Sequence, residues 1–210
     1  MQLGIRSPIR YTKAAYTFPK NGVLDNFNRA DGGLGANWLG LGTLGRNSIS
    51  NNAVAGGFDR WATQFGADQE CYWKFVGTPI AYDDGQDWYV DYALMYLRLK
   101  DVGDSTTDGY TTQFQAGVGQ SYLNIVRFDN GVYTLLGSAV SIPAVGNGDQ
   151  IGCAASGSSL TGWYKLGTGA WALGLTRIDS TYAAGGYIGG GAIDTNGSGL
   201  QVDDFGGGTI

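Results

Sequence analysis

"GYTTQFQAGVGQSYLNIVRFDNGVYTLLGSAVSI", residues 109–142, reads as a run of strands joined by tight turns. In "GYTTQFQAG" (109–117) polar and apolar side chains alternate, the period of a strand with one face buried. "YLNIVRF" (122–128) continues in the same manner. "DNG" (129–131) follows, and Asn-Gly accepts the positive φ of a type I′ turn, so "VYTLLGSAVSI" (132–142) is the returning strand of a hairpin.

Similar runs lie on both sides of this unit. "SISNNAVAG" (48–56), "ECYWKFVG" (70–77), "AWALGLTRI" (170–178), "GGYIGGGAI" (185–193) and "LQVDDF" (200–205) are strand-like. "DQIGCAASGSSLTGWYKLG" (149–167) breaks into two strands around Ser156–Ser158. Roughly a dozen short strands, at the spacing of a sandwich or barrel, predict an all-β protein. Composition agrees: 37 of the 210 residues are Gly, one residue is Glu, and no long helix-forming run is present. "DWYVDYALMYLRLK" (87–100) is apolar on both faces, so it is either covered on both sides or lines an aromatic groove.

Charge is segregated. Residues 1–24 hold Arg6, Arg10, Lys13 and Lys20 and no acid, a charge of +4 that leaves −9 on the rest of a chain of net charge −5. The acidic body argues against nucleic acid, whose phosphates need clustered Lys and Arg. The first 24 residues show no sustained period and carry Pro8 and Pro19, so they are expected to form an extended basic arm. "MQLGIRSPIRYTK" lacks the apolar run of a signal peptide, and no stretch approaches a membrane span. A soluble protein made in a host cytoplasm is expected. Cys71 and Cys153 are too few for a disulfide framework and read as small buried thiols.

Asp25-Asn26-Phe27-Asn28-Arg29, then Leu34-Gly35 and Trp38, resembles the opening of the concanavalin A-like lectin/glucanase jelly rolls, laminin-G-like domains included. Such openings recur in bacteriophage and environmental proteins. "GNGDQIGCAASGSSLTGWYKLGTG" (146–169), "STYAAGGYIGGGA" (180–192) and "QVDDFGGG" (201–208) are similar to later family segments, in the right order. The resemblance implies a two-sheet antiparallel jelly-roll sandwich over 25–210, behind an arm over 1–24. Phe27 would enter the core near Phe205 of the closing strand, and Arg29 would pair with Asp203 or Asp204.

The chemistry of the family's enzymes is missing. Retaining glycosidases need two carboxylates about 5–5.5 Å apart, and this chain has Glu70 alone and no His. Asp87-x-x-x-Asp91 is the nearest imitation of a catalytic pair. A protein that is not an enzyme is expected. Two functions remain open. One is a virion structural protein, a capsid or tail decoration held by its arm through Arg6, Arg10, Tyr11, Lys13, Tyr16 and Lys20, with other virion proteins and copies of itself as partners. The other is a carbohydrate-binding module or lectin recognising a surface polysaccharide such as a host glycan. Its sugar platforms would be Trp61, Trp73, Trp88, Tyr92 and Tyr96, because aromatic rings stack on pyranose faces. Calcium is the one ligand ion suggested, at Asp83-Asp84 or Asp203-Asp204, with solvated turn acids or an Arg partner as the alternative.

Overall fold

The computed structural model describes residues 16–41, 47–83, 88–100, 106–195 and 197–210, with the side chains of residues 82, 83, 88 and 89 left aside. The described residues form strands and turns and contain no helix. The first strands are β1 (Val23–Asp25), β2 (Gly32–Gly33), β3 (Trp38–Gly40), β4 (Ser48–Ser50), β5 (Ala53–Ala55) and β6 (Asp59–Trp61). Then come β7 (Gln69–Val76), β8 (Ala81–Asp83), β9 (Trp88–Val90), β10 (Tyr92–Lys100), β11 (Asp108–Gly117) and β12 (Gln120–Asp129). The chain closes with β13 (Val132–Leu135), β14 (Val140–Pro143), β15 (Gln150–Ser156), β16 (Ser159–Lys165), β17 (Ala172–Ile178), β18 (Tyr187–Ile193) and β19 (Gln201–Thr209).

Two antiparallel sheets stack into the expected sandwich. The first runs β17-β16-β15-β7-β19-β5-β4-β2, with β1 added beside β19; we call it the back sheet. The second runs β13-β12-β11-β10-β18-β6-β3, with β14 also paired to β12; we call it the front sheet. Alternation sets what each strand buries. Cys71, Trp73 and Phe75 of β7 point inward against Ala93, Met95 and Leu97 of β10 and Tyr110 and Phe114 of β11. The 129–131 turn forms as predicted: Asn130 and Gly131 have φ of 49° and 74°, and Asp129 pairs with Val132. The long run at 87–100 is two strands instead of one. β9 pairs with β8 in a separate hairpin, and Asp91 breaks the run before β10. A second break lies at Arg98, whose φ is 53° and where both ladders of β10 shift register. Its buried guanidinium donates to the carbonyls of Ala67, Gly157 and Tyr182 at 2.7, 2.8 and 2.9 Å, so it ties three loops together.

Chain ends meet as the family resemblance implies. Val23 pairs with Gly206 and Asp25 with Phe205. Phe27 is fully buried, its ring 5.8 Å from Trp38 and 5.9 Å from Trp73, and Phe205 lies 4.8 and 4.6 Å from the same two indoles. The partner expected for Arg29 is different. Arg29 bonds Asp25 at 2.6 and 3.0 Å, because only three residues of turn separate them, and Trp38 Nε1 adds a third donor at 2.8 Å. Burial pushes the Asp25 carboxyl upward, but these donors outweigh it and hold it below its ordinary range. Cys71 and Cys153 sit opposite each other on β7 and β15 as buried free thiols, Sγ atoms 3.4 Å apart. Burial raises the Cys71 thiol well above its usual value.

The expected boundary at Asp25 coincides with the last residue of β1. β1 begins at Val23, and the segment before it lies on the outer face of the back sheet. Phe18 is buried there, stacked 5.1 Å from Trp163 and edge-on to Trp171 at 4.7 Å. It fills a slot over Gly152, where a Cβ would come within 2.3 Å of the ring. Glu70 is the segment's polar anchor. The Tyr16 hydroxyl donates to its Oε2, and Oε1 accepts from Lys20 N (2.7 Å), Asn21 N (2.6 Å) and Asn21 Nδ2 (3.0 Å). A fully buried carboxylate needs such donors. Residues 16–21 thus act as a strap across the back sheet.

Candidate functional site

The outer face of the front sheet differs in chemistry. Outward positions on β10 are Tyr92, Leu94 and Tyr96, which cluster with Leu41, Phe58 and Leu99 away from the main core. Register carries this face across neighbouring strands. Ile193, Tyr92, Gln115, Tyr122 and Ser141 lie side by side on β18, β10, β11, β12 and β14. In the next row, Gly191, Leu94, Gln113 and Asn124 follow one another. Amides thus stand beside tyrosines along a track across four strands, roughly 14 Å wide at the spacing of paired strands.

Hydrogen bonds fix several of these side chains. Tyr133 Oη donates to Gln113 Oε1 at 2.9 Å, and Ser141 Oγ donates to Gln120 Oε1 at 2.7 Å. Gln120 Nε2 in turn donates to the Tyr122 hydroxyl oxygen. Asn124 Nδ2 reaches Gln115 Oε1 at 3.5 Å. Tyr133 and Ser141 are exposed, and Tyr92, Gln113, Gln115 and Tyr122 are half-buried. Burial raises the phenols of Tyr92 and Tyr133, so both stay neutral donors near neutral pH.

A cleft of about 520 Å³ opens at the β18 end of the track. It is lined by Ala55 and Gly56, by Ile193 and Asp194, and by Gly199 through Gln201. Two carboxylates shape the loops there. Buried Asp91 accepts from Ile80 N (2.9 Å), Thr195 N (3.0 Å) and Ser198 Oγ (2.7 Å). Asp194 accepts from Ser198 N (3.0 Å) and Gly199 N (2.8 Å). Both accept from loop backbone N–H groups and from the Ser198 hydroxyl, which is the work of loop-organising acids. Asp87, the other half of the imitated catalytic pair, lies outside the described residues.

Among the expected sugar platforms whose side chains are described, Tyr92 is the one that stands partly exposed on the track. Trp73 is fully buried between Phe27, Trp38 and Phe205, because position parity on β7 turns it inward with Cys71 and Phe75. Tyr96 is outward but only 2% exposed, capped edge-on by Phe58. Neither ring has a face left for a sugar. Trp61 is half-buried and packs on the core beside Trp38, at 5.3 Å. The Trp88 side chain lies outside the described set. At the expected metal pair Asp203-Asp204, Lys74 Nζ bonds both carboxylates, at 3.2 and 2.5 Å. These contacts raise the Lys74 pKa, Asp204 foremost. The Asp83 side chain and Asp84 lie outside the described residues, and among the described residues no group of three or more acidic, thiol or imidazole side chains gathers.

For the arm, Arg6, Arg10, Tyr11 and Lys13 lie outside the described residues. Tyr16 and Lys20 bind their own sandwich at Glu70. The sequence reading missed the amides. The alternation of "GYTTQFQAG" was the available signal, since it sets Thr111, Gln113 and Gln115 on one face.

No family model matches the sequence, and no curated protein matches it. Solved structures share the fold. The Emp47p carbohydrate recognition domain has a TM-score of 0.58 at 12% identity, over 95% of this chain and 100% of its own. The exoplasmic/lumenal domain of VIP36 in its Ca2+/Man-bound form has a TM-score of 0.57 at 13% identity, over 83% of each chain. Lectin II from Ulex europaeus has a TM-score of 0.52 at 11% identity, over 83% of this chain and 93% of its own. The chain therefore has the legume-lectin-like, concanavalin A-like jelly-roll fold.

Proposed function

We propose that this protein is a carbohydrate-binding module that holds glycan on the amide and tyrosine track of its front sheet and does not cleave it. One observation carries the reading: aromatic rings and spare amide donors alternate on an outward face of a lectin-type sandwich. Tyr92 and Tyr122 supply apolar ring faces for sugar carbons, and Gln113, Gln115 and Asn124 address hydroxyls. The neighbours favour the same reading, since Emp47p contributes a carbohydrate recognition domain and VIP36 is mannose-bound. Catalysis has no support in the carboxylates: the one Glu anchors the strap, and Asp91 holds loops.

The virion role expected from the sequence has no counterpart among these neighbours, and most of the arm residues it invoked lie outside the described set. Binding to a broad glycan array, followed by calorimetry on the best ligand, tests the proposal. Saturable binding that weakens about tenfold in Tyr122→Ala supports it. A protein that binds no glycan, or one that releases reducing sugar from its ligand, overturns it.

A further inference from the structure

Asn124 is an anomaly on the track. It is 6% exposed, and its carboxamide Oδ1 is buried without a hydrogen-bond partner. Buried polar atoms are nearly always paired, so an orphan acceptor on a candidate binding face asks for an explanation. Its position in the sheet supplies one. β13 pairs with β12 from Val126 onward and β14 pairs with it up to Leu123, so Asn124 lies at the gap where neither strand pairs with β12. The link between them passes there, tied by Leu136 N to Ile125 O at 2.9 Å.

Two amides stand beside the orphan. Gln113 is directly opposite on β11, and its Oε1 already accepts from Tyr133. Gln115 is diagonal to it, and its Oε1 faces Asn124 Nδ2. Among the described residues neither glutamine Nε2 has an acceptor, and both amides stand next to an acceptor that lacks a donor. A single hydroxyl satisfies all three groups, since it accepts from N–H and donates to C=O. A carboxylate or sulfate has no proton for Asn124 Oδ1 and would set lone pair against lone pair. An ammonium has no lone pair for the glutamines. The outward side chains of this stretch, Tyr92, Leu94, Gln113, Gln115, Tyr122 and Asn124, carry no charge.

We infer that Asn124 is the specificity-determining residue of the front face, and that it seats one hydroxyl of a neutral glycan between itself, Gln113 and Gln115. This rests on the carbohydrate-binding reading and adds the ligand class. The half-buried glutamines part to admit the hydroxyl, and closing around it pairs the orphan oxygen.

The test begins with the glycan array at low and high salt, and then compares wild type with Asn124→Leu against the best ligand and its single-deoxy analogues. Neutral glycans should bind with an affinity that salt leaves unchanged. Asn124→Leu, which removes the unpaired acceptor at similar volume, should melt no lower than wild type yet bind at least about tenfold more weakly. One deoxy analogue should bind wild type poorly and be indifferent to the substitution, the signature of a coupled pair. If Asn124→Leu is less stable, Gln113→Leu, at a half-exposed position, must show the same insensitivity to that analogue. Undiminished affinity in both variants overturns the inference while leaving glycan binding in place. So does a best ligand that is acidic and released by salt. A wild-type protein that binds nothing on the array overturns the binding reading beneath it as well.

Discussion

The two outer faces of the sandwich start from similar material and end differently. The back sheet offers Tyr72, Trp163 and Trp171 around a buried carboxylate, a set that on composition alone suits a sugar site. Its own chain has filled it: Phe18 occupies the slot over Gly152, and four donors surround Glu70. The front sheet offers Tyr92, Tyr122 and three amides, and leaves hydrogen-bonding capacity unspent. Aromatic content therefore does not mark a site. What marks it is the bonding that the fold leaves open, because a satisfied face has nothing to exchange with a ligand.

Removing the strap is the strongest way to break this contrast. Deletion of residues 1–21 takes away the four donors to Glu70 and the buried Phe18 ring, and loss of a buried Phe side chain alone costs about 3–5 kcal/mol. Thermal unfolding should fall by about 10 °C or more for a chain of this size. An unchanged midpoint would mean that the back face does not need its cover. Next comes Glu70→Gln, which sets an N–H₂ group against donors at constant shape; a loss of about 2 kcal/mol in urea unfolding is expected. Gly152→Ala should cost about 1–3 kcal/mol by the same assay, since the added methyl displaces the Phe18 ring. None of these back-face changes should alter glycan affinity. Tyr122→Ala is the converse: affinity falls about tenfold in calorimetry while the melting midpoint stays within about 1 °C.

The smallest effect expected is a pH dependence that belongs to neither face. Asp179 accepts from Tyr110 Oη at 2.6 Å and Arg127 Nη1 at 2.7 Å. Burial pushes its carboxyl up, but the bonds from Tyr110, Thr181 and Arg127 outweigh this and bring it to about 2. A carboxyl depressed in the folded state stabilises the fold above its unfolded pKa near 4 and loses that contribution as pH falls toward 2. After allowance for solvent screening the contribution is about 1 kcal/mol. Asp179→Asn should flatten the stability profile between pH 4 and 2; an unaltered slope would place the acid sensitivity elsewhere.

Local signals were legible in the sequence where one short segment decides the outcome. The Asn130-Gly131 turn is such a case, and so is the meeting of Phe27 and Phe205 implied by the opening and closing motifs. Trp73 was misjudged although its alternation with Cys71 and Phe75 already put it on a core face. Glu70 was illegible for a different reason. Its donors come from Tyr16, Lys20 and Asn21, some fifty residues away, and no spacing rule connects them. The amide track lies between these extremes. Alternation showed that Gln113 and Gln115 share a face, but only the register of β11 and β12 shows that Asn124 stands next to them.

The strap also decides how the molecule can be displayed. Asn21 Nδ2 donates to Thr209 O at 3.1 Å, and Tyr16 and Ile210 both pack against the Phe18 cluster, so the first and last described residues come together on the back sheet. An anchor bound to the back sheet over these segments would leave the opposite face, with its tyrosines and amides, pointing away from it. Copies held side by side in this way would all offer their front sheets to the same surface. A feeble affinity at each face would then be multiplied by avidity, provided the spacing of copies matched that of the repeating units on the polymer.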